Sequence, residues 1–218
     1  MTSFPRSPQI LKAGLVLLDP VSFKVTHVIA LQYNPDQLTR TLQVQAASGD
    51  SADRSEALRL KGPPVETFKL EAEMDATDQL EFPADHKDAV DVGVFPQLAV
   101  LESLVSPTAD QIVAADALLA SGAVEIAPME SPLALFVWSA QRIVPVRVTD
   151  FSITEEAFDV GLNPTRAKVS LGLRVLSAND LPINHRGTTL FLAYLKNKEA
   201  LAKRFVDGSQ DQLGAKGL

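Results

Sequence analysis

Apolar and polar side chains alternate with a period of two along much of the chain, a pattern typical of β-strands with one buried face. In the clearest stretch, residues 67–74, the apolar side chains occupy the even positions and the polar ones the odd positions. Residues 168–175 repeat the pattern, with apolar side chains at the odd positions. We therefore expect two strands that face one core, with Phe68 and Leu171 among the buried residues.

Four further stretches predict strands of other kinds. Residues 23–33 carry apolar side chains at most odd positions, and residues 38–45 carry only polar ones at their odd positions from Thr39. Residues 133–138 are almost all apolar, so neither face of this strand is expected to be exposed to solvent. The pattern favours a central strand or one that is covered on both faces. Residues 142–154 change the parity of their apolar positions near Asp150, which indicates a β-bulge or sharp bend.

Helical spacing is confined to three stretches. Apolar side chains recur at helical intervals from Val90 to Leu101, although Pro96 argues against one straight helix. Residues 110–120 are alanine-rich and precede a glycine, and residues 188–205 are amphipathic with cations toward the C-terminal end. The pattern predicts a mainly β protein with minor α structure: an antiparallel β-sandwich or barrel with a flanking helix and a C-terminal helix.

The chain divides into one large unit and two small ones. We predict a β domain over residues 1–180, a helical extension over residues 181–206 and a disordered tail over residues 207–218. Within the β domain, residues 46–64 are rich in Ser, Asp, Gly and Pro and predict a long loop. Its end carries Leu58 and Leu60 in alternation with Arg59 and Lys61, which favours a short strand extension.

Composition narrows the possible functions. The 218 residues include no cysteine, which excludes disulfides, a thiol nucleophile and cysteine-ligated metals. The formal net charge is −7 and no basic cluster is present, so we expect no nucleic-acid partner. No stretch has the apolar length of a membrane span or the pattern of a signal peptide, so we expect assembly in the cytoplasm and no membrane insertion.

Catalytic motifs are absent from the sequence. The three histidines, His27, His86 and His185, do not lie at ligand spacing, and neither a GxSxG elbow nor a phosphate-binding glycine loop occurs. We expect no enzyme activity, no cofactor and no metal, and we expect His27 to be a buried residue on an apolar strand face. One alternative remains a carbohydrate- or ligand-binding β-sandwich with Trp138 and Tyr33 as stacking platforms.

Three segments resemble a known family. LQYNPDQL at residues 31–38, PLALFVW at residues 132–138 and the stretch from Phe158 through NPTRAKV at residues 163–169 are similar to strand-and-turn motifs of tail-tube-like proteins. The resemblance is nearest to the baseplate tube adaptor of contractile injection systems, and it spans residues 11–176. Residues 188–205 do not match the LysM module that many relatives carry at the C-terminus.

The resemblance implies a structural role. It implies a tail-tube-like fold and a homo-oligomeric ring, a hexamer, in the baseplate of a phage-tail-like particle that can be released from the cell. Its partners would be the inner tube protein, the spike or hub protein and other baseplate subunits. An inner-tube or tube-terminator ring is the alternative within the same machine. The candidate residues for subunit contacts or structural turns are Tyr33, Asn34, Pro35, Leu58, Leu60, Trp138, Pro164 and Arg166.

Overall fold

The computed structural model describes residues 11–46, 59–120 and 131–206. These contain seven strands, β1 to β7, and five helices, α1 to α5. The strands are Gly14–Leu18, Val25–Ala30, Thr39–Gln43, Val65–Asp75, Leu133–Ser139, Arg142–Phe158 and Pro164–Val175. The helices are Thr77–Leu80, Lys87–Val92, Phe95–Glu102, Ala109–Ala120 and Arg186–Ala202. The prediction of a mainly β fold with minor α structure is confirmed.

All seven strands form one antiparallel sheet in the order β2-β1-β5-β6-β7-β4-β3. Phe68 in β4 and Phe136 in β5 are three strand positions apart, which is about 14 Å in a flat sheet. Their ring centroids are only 5.4 Å apart. The sheet therefore curls so that β4 and β5 face each other across the core.

The core has two parts. The main cluster fills the inside of the curled sheet, and its largest members that are essentially inaccessible to solvent include Phe68, Phe136, Leu171 and Leu173. A smaller cluster of Leu18, Leu133 and Leu135 packs on the other face of β1 and β5 with Phe23, Leu176 and Leu190. Strand β5 is thus covered on both sides, as its uniformly apolar sequence predicts.

The parity change in β6 corresponds to a bulge. The pairing of β6 with β7 shifts register between Val148 and Asp150, so Thr149 is the extra residue. Val144 and Val146 before the bulge are buried, and Phe151 and Ile153 after it pack against the same core. The bulge therefore returns the apolar positions to the inner face, as the sequence predicts.

Strand β2 corrects one prediction. The strand is shorter than the predicted stretch, and Phe23 lies in a turn with φ of 54°. Val25 and His27 are exposed, so the expectation of a buried His27 was wrong. The reason is position, because β2 is an edge strand and pairs with a described strand, β1, on one side only. Strand β1 itself was not predicted.

Helices lie at both ends of the sheet. Helices α1 to α4 lie between β4 and β5 in sequence, and α1 begins directly after Asp75, the last residue of β4. Helix α5 contributes Phe191 and Tyr194 to the core and contacts Glu66 at the start of β4. We call these the Asp75 end and the Glu66 end. They are about 30 Å apart, because nine residues of strand separate them.

Candidate assembly surfaces

The Asp75 end is held together by one carboxylate and its backbone. Oδ2 of Asp75 accepts hydrogen bonds from Arg166, with distances of 2.8 Å to Nε and 2.7 Å to the paired terminal nitrogen. Oδ1 accepts from the backbone N–H of Thr77 at 2.7 Å and from the hydroxyl of the same residue. The side chain of Gln32 bonds to the backbone N–H and C=O of Asp75, at 2.8 and 2.7 Å. Gln32 thereby fastens the segment after β2 to the end of β4.

Burial and hydrogen bonding together determine the pKa of the Asp75 carboxyl group. Burial raises the pKa of Asp75, but the hydrogen bonds from Thr77 and the pairing with Arg166 outweigh it and hold the pKa below its ordinary value. The hydrogen bond from Arg166 to Asp75 raises the pKa of the guanidinium. We expect Arg166 to pair with a carboxylate at a sheet edge or subunit contact; the structure shows a carboxylate partner, Asp75, but at the end of the interior strand β4 of the same chain. Its identity is not visible in the sequence, because 91 positions separate the two residues.

The Asn34-Pro35 turn follows β2 and lies against the start of β1. The side-chain oxygen of Asn34 accepts the backbone N–H of Ala13 at 2.9 Å, and its Nδ2 donates to the carbonyl of Leu11 at 2.9 Å. Tyr33 beside it is about half exposed. The turn and the outer face of β4 form a groove of about 620 Å³, which Tyr33, Asn34, Pro35, Glu71 and Glu73 help to line.

The turn between β6 and β7 is held by hydrogen bonds to Asp159 and carries exposed apolar side chains. Nδ2 of Asn163 donates to Oδ2 of Asp159 at 2.9 Å, and Oδ1 accepts the backbone N–H groups of Asn163 and Gly161 at 2.8 and 2.7 Å. The side-chain bond from Asn163 and then the backbone bonds hold the pKa of Asp159 below its ordinary value. Leu162 is held at a positive φ of 65°, which is uncommon for a residue with a side chain. Val160 and Leu162 are 108% and 76% exposed.

Pro164 connects this turn to the helices. Its side chain is buried and its carbonyl accepts the backbone N–H of Val94 at 2.8 Å. Nδ2 of Asn163 also donates to the carbonyl of Asp91 at 3.1 Å. Gly93 makes this approach possible, since its φ is 62° and a Cβ there would collide with the carbonyl of Pro164. Pro164 and Arg166 thus lie together at the Asp75 end.

A second polar cluster lies at the Glu66 end. The side chain of Glu66 is 3% exposed, and Oε1 accepts from Nε of Arg40 at 2.5 Å and from the hydroxyl of Tyr194 at 2.7 Å. Nζ of Lys198 lies 3.2 Å from Oε2 and 4.3 Å from the centre of the Tyr194 ring. Burial and the hydrogen bond to Glu66 raise the pKa of Tyr194 to about 12. This cluster anchors α5 to β3 and β4.

Sequence reasoning missed the Glu66 cluster, although one signal pointed to it. Glu66 shares the parity of Phe68 and Leu70, so a carboxylate stood on the apolar face of the most regular strand. A charge on that face requires partners. The partners themselves come from β3 and from a helix 128 residues later, which no local pattern reveals.

The two sheet edges are open within the described part of the chain. Strands β2 and β3 each pair with a strand on one side and with none of the described strands on the other. Every residue of β3 is exposed, and β2 is exposed at all positions but Ile29. Unpaired backbone groups along such strands favour the addition of a further strand.

One face of the sheet is entirely polar over four strands. The side chains that point away from the core on β3, β4, β7 and β6 contain no apolar residue in the stretch beside residues 67–73. They are Thr39, Thr41, Thr67, Lys69, Glu71, Glu73, Lys168, Ser170, Arg174, Asp150, Ser152 and Thr154, with Gly172 among them. This face is a continuous hydrophilic wall next to the open edge of β3.

The long loop after β3 has an ordered base. Ala46 and Leu60 form an antiparallel bridge, and the N–H of Lys61 donates to the carbonyl of Gln45 at 2.8 Å. Leu60 is 68% exposed. Residues 47–58, including the candidate Leu58, lie outside the described residues, as do the predicted tail over residues 207–218 and the glycine that follows α4.

Trp138 belongs to the packing of β5. Its ring centroid lies 6.0 Å from that of Phe136, and the side chain is partly buried against the main core. Trp138 is not among the residues that line the groove beside Tyr33. The structure therefore gathers Tyr33, Asn34, Pro35, Pro164 and Arg166 near the Asp75 end and places Leu60 toward the Glu66 end. Their roles in subunit contacts stay predictions.

No group of three or more His, Asp or Glu side chains in residues 11–46, 59–120 and 131–206 could hold a metal ion. None of the helices in the same residues is both long and apolar enough to cross a membrane.

The chain has only weak similarity to known proteins. No family model matches the chain, and no curated protein matches it in sequence. Among solved structures, a chain from the tail of an empty GTA particle with C6 symmetry is 12% identical, with a TM-score of 0.29. A chain from the virion of a native gene transfer agent particle is 14% identical, with a TM-score of 0.27. Each match covers 75% of this chain and 90% of the other. Scores this low define neither its architecture nor its role.

Proposed function

We propose that the chain is a structural subunit of a phage-tail-like particle and forms a baseplate ring that joins the inner tube to the spike hub. The observation that carries the proposal is the pair of edge strands, β2 and β3, each of which pairs with a described strand on one side only. If β3 of one copy adds to β2 of the next, the contact is heterologous, and repeating it closes a ring. We propose six copies, in line with the resemblance of residues 11–176.

The polar sheet face supports the same arrangement. A ring closed through β2 and β3 has one sheet face toward its channel and the other toward the core of each subunit. The face formed by Thr41, Lys69, Glu71, Ser152 and Ser170 is exposed and free of apolar side chains. A wet channel wall of this kind does not adhere to the molecules that pass through it.

We propose the adaptor position in the particle on the basis of the sequence motifs. The tube-adaptor motifs lie at residues 31–38, 132–138 and 158–169, and the structure gives each a strand or a turn at a strand end. We propose no catalytic role for these residues. An affinity purification with candidate inner-tube and hub proteins from the same genome tests the assignment, and the adaptor must bind both.

The ring is tested with the isolated chain by native mass spectrometry and negative-stain electron microscopy. We expect rings from the unaltered protein and only monomers from Val28→Lys or Leu42→Lys, because both side chains lie exposed on edge strands. The matched control is Ser152→Lys, an exposed position on the interior strand β6. Rings from both edge variants, or loss of rings in the control alone, would contradict assembly through β2 and β3.

A further inference from the structure

A cavity of about 750 Å³ lies between the starts of β5, α4 and α5. Its walls are largely apolar and are fixed by core packing, because Leu104, Leu133, Ala134 and Val146 are all buried. The volume falls within the range of about 300–1,000 Å³ that is typical of small-molecule sites in proteins. The cavity is therefore a candidate binding site for a small molecule.

The charge of the cavity lining is positive. Arg147 is part of the lining, and no Asp or Glu is among the described residues that form it. Two other clefts, one next to α2 and one beside Tyr33, are lined by carboxylates. The chain as a whole carries a formal net charge of −7, so this cavity is an exception on an acidic molecule. It therefore favours a negatively charged occupant.

Arg147 has no carboxylate partner in the part of the chain that the structure describes. Its cross-strand neighbour on β7 is another cation, Arg174, which is already paired with Asp180 at 2.6 Å. Like charges directly opposite each other on a sheet are destabilising. An anion bound in the cavity would offset that repulsion and give Arg147 the partner that it lacks.

The first turns of α4 and α5 border the same cavity. At α4, the hydroxyl of Thr108 accepts the backbone N–H of Gln111 at 3.2 Å, and Oε1 of Gln111 accepts that of Thr108 at 2.9 Å. At α5, Nδ1 of His185 accepts the backbone N–H of Gly187 at 3.0 Å, so in the neutral ring Nε2 carries the hydrogen and is left as a donor. Helix N-termini carry partial positive charge, which Asp110 offsets in part at α4 and no acidic residue of the first turn offsets at α5.

We infer that this cavity binds a small anionic amphiphile, a monocarboxylate with a short aliphatic chain. Its carboxylate pairs with Arg147, and its chain packs against the walls formed by Leu133 and Val146. Charge complementarity selects an anion, and the apolar walls select an aliphatic body over a bare inorganic ion. The inference goes beyond the proposed function and does not rest on it, since no residue of β2 and only residues outside β3 line the cavity.

The test is isothermal titration calorimetry of the unaltered chain with octanoate, 1-octanol and octylamine, which share an aliphatic chain and differ in charge. We expect one octanoate to bind per chain, at least about tenfold more tightly than octanol, because a hydrogen bond to a charged group contributes that much. Octylamine should bind more weakly than octanol because of its charge. Acetate should show no measurable binding, because it lacks the chain.

Three exposed positions provide the variants. Arg147→Gln should lower the affinity for octanoate to that for octanol and leave the binding of octanol unchanged. Lys69→Gln is the matched control, because it removes an exposed cation that lines the cleft beside Tyr33 instead. Ser106→Phe, at an exposed lining position before α4, should fill the cavity and abolish the binding of both ligands, and its thermal midpoint checks that the fold is kept.

Equal affinities for octanoate and octanol, equal losses in Arg147→Gln and Lys69→Gln, or binding that survives Ser106→Phe would each overturn the inference. If Ser106→Phe does not fold, the comparison of Arg147→Gln with Lys69→Gln decides alone. A chain that binds no octanoate, and whose contact with a candidate tube or hub protein is weakened by Arg147→Gln, would assign the cavity to a protein interface and equally overturn the inference. Ring formation is measured separately, and none of these outcomes alters that test.

Discussion

At the scale of single residues, two acidic side chains, Asp75 and Glu66, connect separate elements of the fold, and they differ in burial. Asp75 is partly accessible, and its hydrogen-bond partners are Thr77, just after its own strand, and Arg166, near the start of β7. Glu66 is buried and is satisfied by residues from β3 and α5. Removing a partner from a buried carboxylate costs more than removing one from an exposed carboxylate, since water cannot take its place.

The contribution of Asp75 depends on pH. Its pKa is lowered below 3.8 in the folded chain, so its stabilisation is fully present above that value and is lost as pH falls through the folded pKa. We expect Asp75→Asn to lower the free energy of unfolding by about 1–2 kcal/mol at pH 7. The difference from the unaltered protein should shrink below pH 3.8, as measured by urea unfolding across pH. A difference that stays constant down to pH 2 would show that charge is not the cause.

Among the glycines in the described part of the chain, Gly93 has the least tolerance for a side chain. Its φ of 62° is one that L residues rarely adopt, and a Cβ would meet the backbone oxygen of Pro164. We expect Gly93→Ala to cost roughly 3 kcal/mol in thermal or urea unfolding. Gly161→Ala is the control, because its φ is ordinary and its nearest neighbours are side-chain atoms at 3.2 and 3.3 Å. Similar losses in both variants would contradict the strain at Gly93.

At the scale of elements, alternation predicted a strand best where one face is buried and the other is exposed. Strands β4 and β7 are of this kind, and their alternation predicted the buried residues Phe68, Leu70, Val169 and Leu171. Strand β1 is covered on both faces, as β5 is, but its apolar run of five residues is shorter than that of β5, and it was missed. Strand β2 alternates but is exposed at the edge, so its pattern placed His27 wrongly.

At the assembly surfaces, the sequence patterns likewise predicted local turns but not the contacts between residues that are distant in sequence. The turns at Asn34-Pro35 and Pro164 were visible because proline interrupts a strand pattern. The partners that fix those turns were not visible. Ala13 bonds to Asn34 across 21 positions and Asp75 bonds to Arg166 across 91, and no periodicity relates residues so far apart.

The registers of β4 and β7 give an element-scale prediction. Phe68 and Leu171 are essentially inaccessible to solvent, so Phe68→Ala and Leu171→Ala should each cost roughly 2–5 kcal/mol through lost burial and the cavity that remains. Thr67→Ala and Ser170→Ala, on the polar face, should each cost under about 1 kcal/mol. Urea unfolding of the four isolated variants measures this. Equal losses on the two faces would contradict the pairing of β4 with β7.

At the scale of the whole molecule, the loop over residues 46–64 is expected to serve assembly. The bridge between Ala46 and Leu60 closes its base, so the folded subunit does not need the residues between them to join β3 to β4. We predict that replacing residues 47–58 by a two-residue turn leaves the circular dichroism spectrum unchanged and prevents joining of the ring to the inner tube. Electron microscopy of particles made with the shortened chain is the measurement. Normal particles would show that the loop is a tolerated insertion with no role in assembly.

The Glu66 cluster also has a consequence for biosynthesis. Glu66 and Arg40 are made early, whereas Tyr194 and Lys198, the other two partners in the cluster, follow Glu66 by 128 and 132 residues. Until those residues leave the ribosome, the carboxylate has Arg40 alone, and the end of the core that Phe191 covers stays open to water. A nascent chain that has made β2 and β3 but not yet α5 therefore exposes both edge strands without a finished core behind them. In a crowded polysome, synthesis of α5 determines when a subunit becomes competent to meet its neighbours.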